Sequence, residues 1–231
     1  LHLARTRGLR PRRLDHVFFG PSATEAECRA ATARLGDAFT VEQPDDMASP
    51  AAALLAEGAV VARFDGALEY GPRALGNRSI LARTDDPSIN DWLNERLHRS
   101  EYMPFAPVTL ASEAGALYEH LDGAAHCVPF MTVALPVTSS VGQEHAAVVH
   151  VDGTARPQVL NAAGNPGLHA ILSAFHRRTG MPSLVNTSFN RHGEPIVCTP
   201  ADAVDTFLGA GLDALILGPL LVRRLHPLPR P

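Results

Sequence analysis

The sequence predicts an α/β domain built on a mixed, twisted β-sheet with flanking helices. Three observations carry that expectation. Helical stretches with recognisable caps alternate with short apolar runs of strand length, some of those runs are joined by tight turn residues in a hairpin-like pattern, and no internal repeat is visible. The 231 residues suffice for one large domain, or one and a half, with a substantial core.

Taken in order, residues 1–13 carry Arg5, Arg7, Arg10, Arg12 and Arg13 with little apolar periodicity, and read as a solvated tail or the end of an upstream element. Leu14–Phe19 predicts a short strand broken by Gly20-Pro21. Ser22 and Glu25 form a capping box for a helix through about Leu35, followed by a short strand at Phe39–Val41. Ser49-Pro50 caps a second helix that Gly58 ends, and Ala59–Phe64 predicts a buried strand. Asp86-Pro87 starts a third helix, with Ile89, Leu93 and Leu97 stacked on one face beside Trp92. The prolines of Met103–Val108 predict an edge strand or an extended wall.

A short helix is expected over about Glu113–Leu121, and strands at Phe130–Val137 and Ala146–Val151. The Asp152-Gly153 turn leads through Thr154-Ala155 to a strand near Gln158–Leu160. Asn165-Pro166 caps a helix closed by Gly180, and Pro182–Val185 is a short strand. Thr199-Pro200 with Asp202 starts the last helix, before strands at Asp213–Leu217 and Leu220–Val222 and a proline-rich tail.

Composition narrows the chemistry. The net charge of −4 and the lack of a strongly basic half argue against nucleic-acid and membrane partners. All 20 basic residues are arginine. Without lysine there is no Schiff base and no phosphate-loop lysine, so an anion site must use arginine, backbone amides or a metal. Cys28, Cys127 and Cys198 follow no metal spacing and read as reduced, buried thiols of a cytoplasmic protein. No apolar run is long enough to span a bilayer and no signal-peptide pattern is visible.

Two stretches carry candidate chemistry. Glu69-Tyr70-Gly71-Pro72-Arg73-Ala74-Leu75-Gly76-Asn77-Arg78-Ser79-Ile80 follows the buried strand and combines a Gly/Pro turn with two arginines. Backbone N–H groups and rigid guanidinium forks suit a phosphate, and a surface turn with solvated arginines is the plain alternative. Asn186-Thr187-Ser188-Phe189-Asn190 sets four hydrogen-bonding side chains at a strand end, where α/β folds place ligands. There the alternative is a turn that satisfies its own backbone. Arg156 can reach the same pocket or pair with Asp152, and His192 is the histidine best placed to meet a ligand. No nucleophile elbow, His-Glu-x-x-His pattern or cysteine context supports nucleophilic or metal catalysis. The residues alone indicate a nucleotide or small phosphate as ligand and leave the reaction open.

The stretches Glu69–Ser79, Met103-Pro104-Phe105-Ala106-Pro107, Val151-Asp152-Gly153-Thr154-Ala155-Arg156, Asn186–Asn190 and Gly193-Glu194-Pro195-Ile196 occur in this order from about residue 16 to about 222. In them the sequence resembles the carboxyl-terminal domain of the NodU/CmcH-type O-carbamoyltransferases. The resemblance implies a YrdC-like fold over residues 20–231, related to threonylcarbamoyl-adenylate synthases. It implies formation of carbamoyl adenylate from carbamoyl phosphate and ATP, with Mg²⁺ accompanying the ATP. Residues 1–19 would then be the end of, or a linker from, a missing amino-terminal actin-like domain, in which Fe²⁺ and the transfer of the carbamoyl group to a hydroxyl of a natural product are expected. The start at Leu1 fits a fragment.

Carried over by position, Arg73, Arg78, Arg99 and Arg156 would bind phosphates, and Asn186, Thr187, Ser188 and Asn190 the nucleotide and the carbamoyl adenylate. The segment Leu97–Met103 lacks the additional lysine or arginine that many relatives carry, so phosphate binding leans on Arg99. Two other functions compete: a nucleotide-binding module without catalysis, and a threonylcarbamoyl-adenylate synthase for tRNA modification.

Overall fold

A computed structural model describes residues 6–8, 14–99, 105–139, 141–226 and 228. The expectations for Arg5, Arg10, Arg12, Arg13, Met103, Pro104 and most of the proline-rich tail lie outside the described residues.

Ten strands are described: β1 (Phe39–Glu42), β2 (Val61–Phe64), β3 (Arg78–Ala82), β4 (Ala106–Leu110), β5 (Leu135–Pro136), β6 (Thr154–Ala155), β7 (Gln158–Leu160), β8 (Ser183–Ser188), β9 (Ala214–Leu217) and β10 (Leu220–Arg224). Eight of them form one sheet in the order β1-β10-β9-β2-β3-β8-β4-β7, and β5 pairs with β6 apart from it. Within the large sheet β2 runs parallel to β9 and β4 to β7, while the other neighbours are antiparallel. The mixed α/β architecture matches the expectation.

Side chains alternate across this sheet with period two, so it is buried on both faces. Val61, Leu81, Leu184, Ile216 and Leu221 face α2 (Ala48–Ala56) and α7 (Pro166–Thr179). Ala62, Phe64, Ile80, Val185, Leu215 and Val222 face α1 (Glu25–Thr32), α3 (Ser88–Arg96) and α8 (Pro200–Ala210). A smaller cluster, with Leu117, Tyr118, Val128, Leu135 and Ala155, gathers the segment that holds α4 (Ala114–Leu117), α5 (Leu121–Ala124) and α6 (Val141–Glu144). Among the described residues no helix is long and apolar enough to cross a membrane.

Helix ends follow the caps, with two shifts. Thr199 and Asp202 form the expected capping box of α8, and Asn165 accepts from Leu168 N–H at the start of α7. At α1, however, the box is Thr24 with Glu27, two residues beyond Ser22 and Glu25. The sequence offers both frames, and the one used buries Cys28 and Ala31. At α2 the N-cap is Met47, which has no side-chain cap bond, and the preceding Asp46 carboxylate accepts from Ala48 N–H at 3.0 Å and from Ser49 Oγ at 2.5 Å.

Several strand expectations give way to tertiary structure. Leu14–Phe19 is irregular and is held by single backbone bonds such as Tyr70 N–H to Val17 O, 2.7 Å. Of Phe130–Val137 only Leu135–Pro136 forms a strand, extended by a bridge from Val137 to Tyr118 and preceded by a 3₁₀ turn at Val128–Phe130. Ala146–Val148 is also a 3₁₀ turn, since a short buried apolar run does not distinguish strand from helix. The strand β4 lies inside the sheet rather than at its edge. Pro107 is tolerated there because pairing with β7 begins only at Val108, one residue later. The last three residues of the Gly/Pro stretch, Arg78–Ile80, begin the central strand β3. Cys28 is buried, but Cys127 and Cys198 are exposed.

A candidate anion-binding active site

The register brings four strand ends to one edge of the sheet: the end of β2, the start of β3, the end of β8 and the start of β4. Phe64 faces Arg78, Ser79 faces Ser188, and Ala106 faces Asn186. The loop between β2 and β3 curls over this edge. Its scaffold is Glu69, a buried carboxylate whose Oε1 accepts from the backbone N–H groups of Leu75 at 2.8 Å, Asn77 at 2.7 Å and Arg78 at 3.1 Å. Gly76 lets the loop pass close to α7. Its φ of +114° suits glycine, and a Cβ there would lie 2.5 Å from Leu168 Cδ2.

Below the loop is a cavity of about 360 Å³. Arg73, Arg99, Arg156, Asn186, Thr187, Ser188 and Asn190 all line it, with Asn94, Phe105, Met131 and His192 beside them. Seven of the eight site residues named from the sequence therefore share one cavity. No carboxylate is among its described lining residues.

Arg99 arrives by way of a turn the sequence did not announce. Directly after α3, His98 adopts a left-handed conformation with φ 54°, and Arg99 folds back against the end of β8. Its guanidinium donates to Thr187 Oγ1 at 2.8 Å, Ser188 O at 2.8 Å, Ser188 Oγ at 3.1 Å and Asn190 O at 3.2 Å. These acceptors are neutral, so among the described residues the positive charge has no ionic partner, and burial disfavours it. Arg156 is half-buried with Nε unpartnered, and burial, followed by the charge of Arg73, disfavours its cationic form. An anion in the cavity would relieve both strains at once.

Arg78 does not join them. It sits opposite Phe64 in the β2–β3 register, on the face packed by α1, α3 and α8, and is fully buried. Its guanidinium stacks 3.7 Å over the Phe64 ring and donates to the carbonyls of Asp65, Gly66, Asn77 and Pro21. Five residues separate Arg73 from Arg78, but one lies in a loop and the other in a strand, so spacing alone misjudged their directions. Arg156 likewise forms no pair with Asp152, which accepts from Thr154 N–H and Oγ1.

Other supporting residues escaped the sequence reading. Arg63, also buried, donates to Gly76 O and Asn77 Oδ1 and pairs with Asp65 at 2.5 Å. Gln158 donates to Leu75 O, and the only sequence signal for it is a polar residue within an apolar strand. Nothing local marks Glu69, because its partners lie six to nine residues ahead. A second cavity of about 520 Å³, lined by His16, Phe18, His126, Phe130 and Asn161 among others, has no arginine among its described lining residues. Arg73, Arg99 and Arg156 all line the smaller one. Among the described residues no group of three or more His, Cys, Asp or Glu could hold a metal ion.

Comparison with known proteins gives a consistent picture. The family described as Carbamoyltransferase C-terminus matches residues 52–224. The nodulation protein NolO of Bradyrhizobium diazoefficiens is 42% identical over 218 residues, covering 92% of this chain and 39% of that protein. The 3'-hydroxymethylcephem-O-carbamoyltransferase of Amycolatopsis lactamdurans is 40% identical over 164 residues, 71% of this chain and 30% of that protein. The chain thus spans less than two fifths of the length of these relatives. In fold it is similar to HypF of T. kodakarensis, with a TM-score of 0.53 at 16% identity over 91% of this chain and 28% of that one. It is also similar to Sua5 of P. abyssi, at 0.52 and 14% over 74% of this chain and 48% of that one. The architecture is accordingly YrdC-like.

Proposed function

The chain belongs to the carbamoyltransferase C-terminal family, and from that premise we propose that its arginine-lined cavity forms carbamoyl adenylate from carbamoyl phosphate and ATP. One observation carries the reading: three guanidinium groups, from Arg73, Arg99 and Arg156, surround a cavity with no carboxylate among its described lining residues. That donor set matches phosphate oxygens rather than a bare cation. Mg²⁺ would enter on the ATP phosphates, which supply its oxygen ligands and share their charge with it.

Water releases inorganic phosphate from carbamoyl phosphate, the carbamate oxygen attacks the α-phosphorus of ATP, and the bond to the leaving pyrophosphate breaks. Charge builds on phosphate oxygens throughout, so positioning and electrostatic stabilisation are what the protein must supply. Arg156 and Arg73 would face the phosphates directly. Arg99 would fix Thr187, Ser188 and Asn190 in place while adding its charge to the same wall. No protein nucleophile is required.

Because the relatives are more than twice as long, transfer of the carbamoyl group to a hydroxyl is assigned to an amino-terminal actin-like domain in a longer protein. Fe²⁺ belongs, in this reading, to that domain. The test is to incubate the chain with ATP, Mg²⁺ and carbamoyl phosphate and to follow pyrophosphate. Release is expected, and Arg156→Ala or Ser188→Ala should lower it roughly 100-fold, the usual effect of losing one charge-stabilising donor. No release would leave a nucleotide-binding module. Release that instead requires threonine and bicarbonate would make the chain a threonylcarbamoyl-adenylate synthase.

A further inference from the structure

The side-chain amides of Gln158 and Asn186 form a short relay behind the cavity. They are buried, at 3% and 2% exposure. The Leu75 carbonyl accepts from Gln158 Nε2 at 2.8 Å, and a carbonyl can only accept. Gln158 therefore turns Oε1 toward Asn186, whose Nδ2 donates to it at 2.8 Å. The same Nδ2 donates to the Ala74 carbonyl at 3.3 Å. Two fixed backbone acceptors thus set the direction of both amides.

Asn186 lines the cavity, and its Oδ1 is buried without a hydrogen-bond partner among the described residues. A buried acceptor left unpaired costs free energy until a donor reaches it. The guanidinium groups of Arg73, Arg99 and Arg156 on the same cavity can only donate. The cavity therefore offers donors for a phosphate, and Asn186 in its wall adds a shielded acceptor whose complement is an N–H or O–H.

We infer that Asn186 is the residue that selects the carbamoyl group: its Oδ1 accepts a carbamoyl N–H while the arginines hold the phosphate, and Gln158 locks that polarity as a positioning residue. The inference rests on the function proposed above and adds the atom that separates carbamoyl phosphate from acyl phosphates of the same shape. In acetyl phosphate a methyl group replaces the NH₂, donates nothing, and leaves Oδ1 buried and unpaired. Sites built to hydrogen-bond a substrate group reject the analogue that lacks it much more strongly than apolar pockets reject a missing methylene.

Binding of two stable phosphonates to the chain, measured by titration calorimetry, tests this without turnover. Phosphonoacetamide carries NH₂ where acetonylphosphonate carries CH₃, and the two are otherwise alike in shape. The unsubstituted chain should bind the amide at least about tenfold more tightly, a modest value for discrimination of this kind. Asn186→Leu should abolish the preference, bringing the ratio of the two affinities to about one. Gln158→Met should also lower the preference, because it frees the Asn186 amide to turn. Equal binding of the two phosphonates by the unsubstituted chain, or measurable binding of neither, overturns the inference. So does a preference that survives Asn186→Leu in a folded variant, and if that variant does not fold, the preference of the unsubstituted chain decides. An intact preference without pyrophosphate release removes only the adenylate reaction, and release without a preference removes only the role of Asn186.

Discussion

Arg73 and Arg78 stand five positions apart and belong to different physical worlds. Arg73 is exposed in the loop over the cavity, whereas Arg78 is sealed in the core, where it feeds donors to four backbone carbonyls. Removing Arg78 leaves those carbonyls short of donors and a void beside Phe64. Arg78→Ala should therefore cost about 3 kcal/mol of stability, read as a lower urea midpoint, because buried polar groups stripped of partners are expensive. Arg156→Ala should leave the midpoint nearly unchanged, since its guanidinium has no ionic partner to lose among the described residues. A reversed ranking of the two would show that their roles have been exchanged.

At the scale of elements, the loop between β2 and β3 is held as a template before any ligand arrives. Glu69 gathers three backbone N–H groups, and Gly76 packs against Leu168 and Asn165 of the α7 start. Gly76→Ala combines an unfavourable positive φ with a contact far inside van der Waals distance. A loss of about 2–3 kcal/mol, together with weaker binding of ATP, is expected from thermal melts and titrations. Unchanged ATP affinity would mean that the loop does not place Arg73. The small lobe around α4 is fastened by Tyr118, whose hydroxyl meets Thr109 Oγ1 of β4 at 2.8 Å, which in turn meets Ser183 Oγ of β8. Burial pushes the Tyr118 phenol up to about 12. An unfolded tyrosine loses its proton near pH 10. Between those values the folded chain holds more protons than the unfolded one, so stability falls as pH rises, by about 2–3 kcal/mol in total. Denaturant titrations from pH 9 to 12 should show this decline, and Tyr118→Phe should remove most of it.

For the whole molecule, the cavity and the core are separate investments. The sheet is sealed on both faces by helices, while the anion site occupies one edge where strand ends and loops meet. Ligand binding should therefore add stability by mass action alone, about 2.7 kcal/mol at a ligand concentration 100 times its dissociation constant. Mg-ATP should raise the melting temperature of the unsubstituted chain and of a folded Arg78→Lys variant alike, but not that of Arg156→Ala. A shift retained in Arg156→Ala would place the nucleotide elsewhere, and the larger cavity around His126 would be the next place to look.

Much of this was legible in the chain itself. The caps at Asn165 and Thr199, the apolar runs of β2, β9 and β10, the absence of lysine and the motif Asn186–Asn190 name the α/β class and four of the lining residues, because capping, period-two burial and donor chemistry are local properties, whereas Arg99 entered only through the family resemblance. What the tertiary structure decided is direction. Whether Arg78 enters the cavity or the core depends on which face of β3 it occupies, and that is set by register against β2 and β8. Whether Asn186 shows its oxygen or its nitrogen depends on carbonyls at Ala74 and Leu75, more than a hundred residues away in sequence. Spacing along a chain carries no information about such pairings, which only folding supplies.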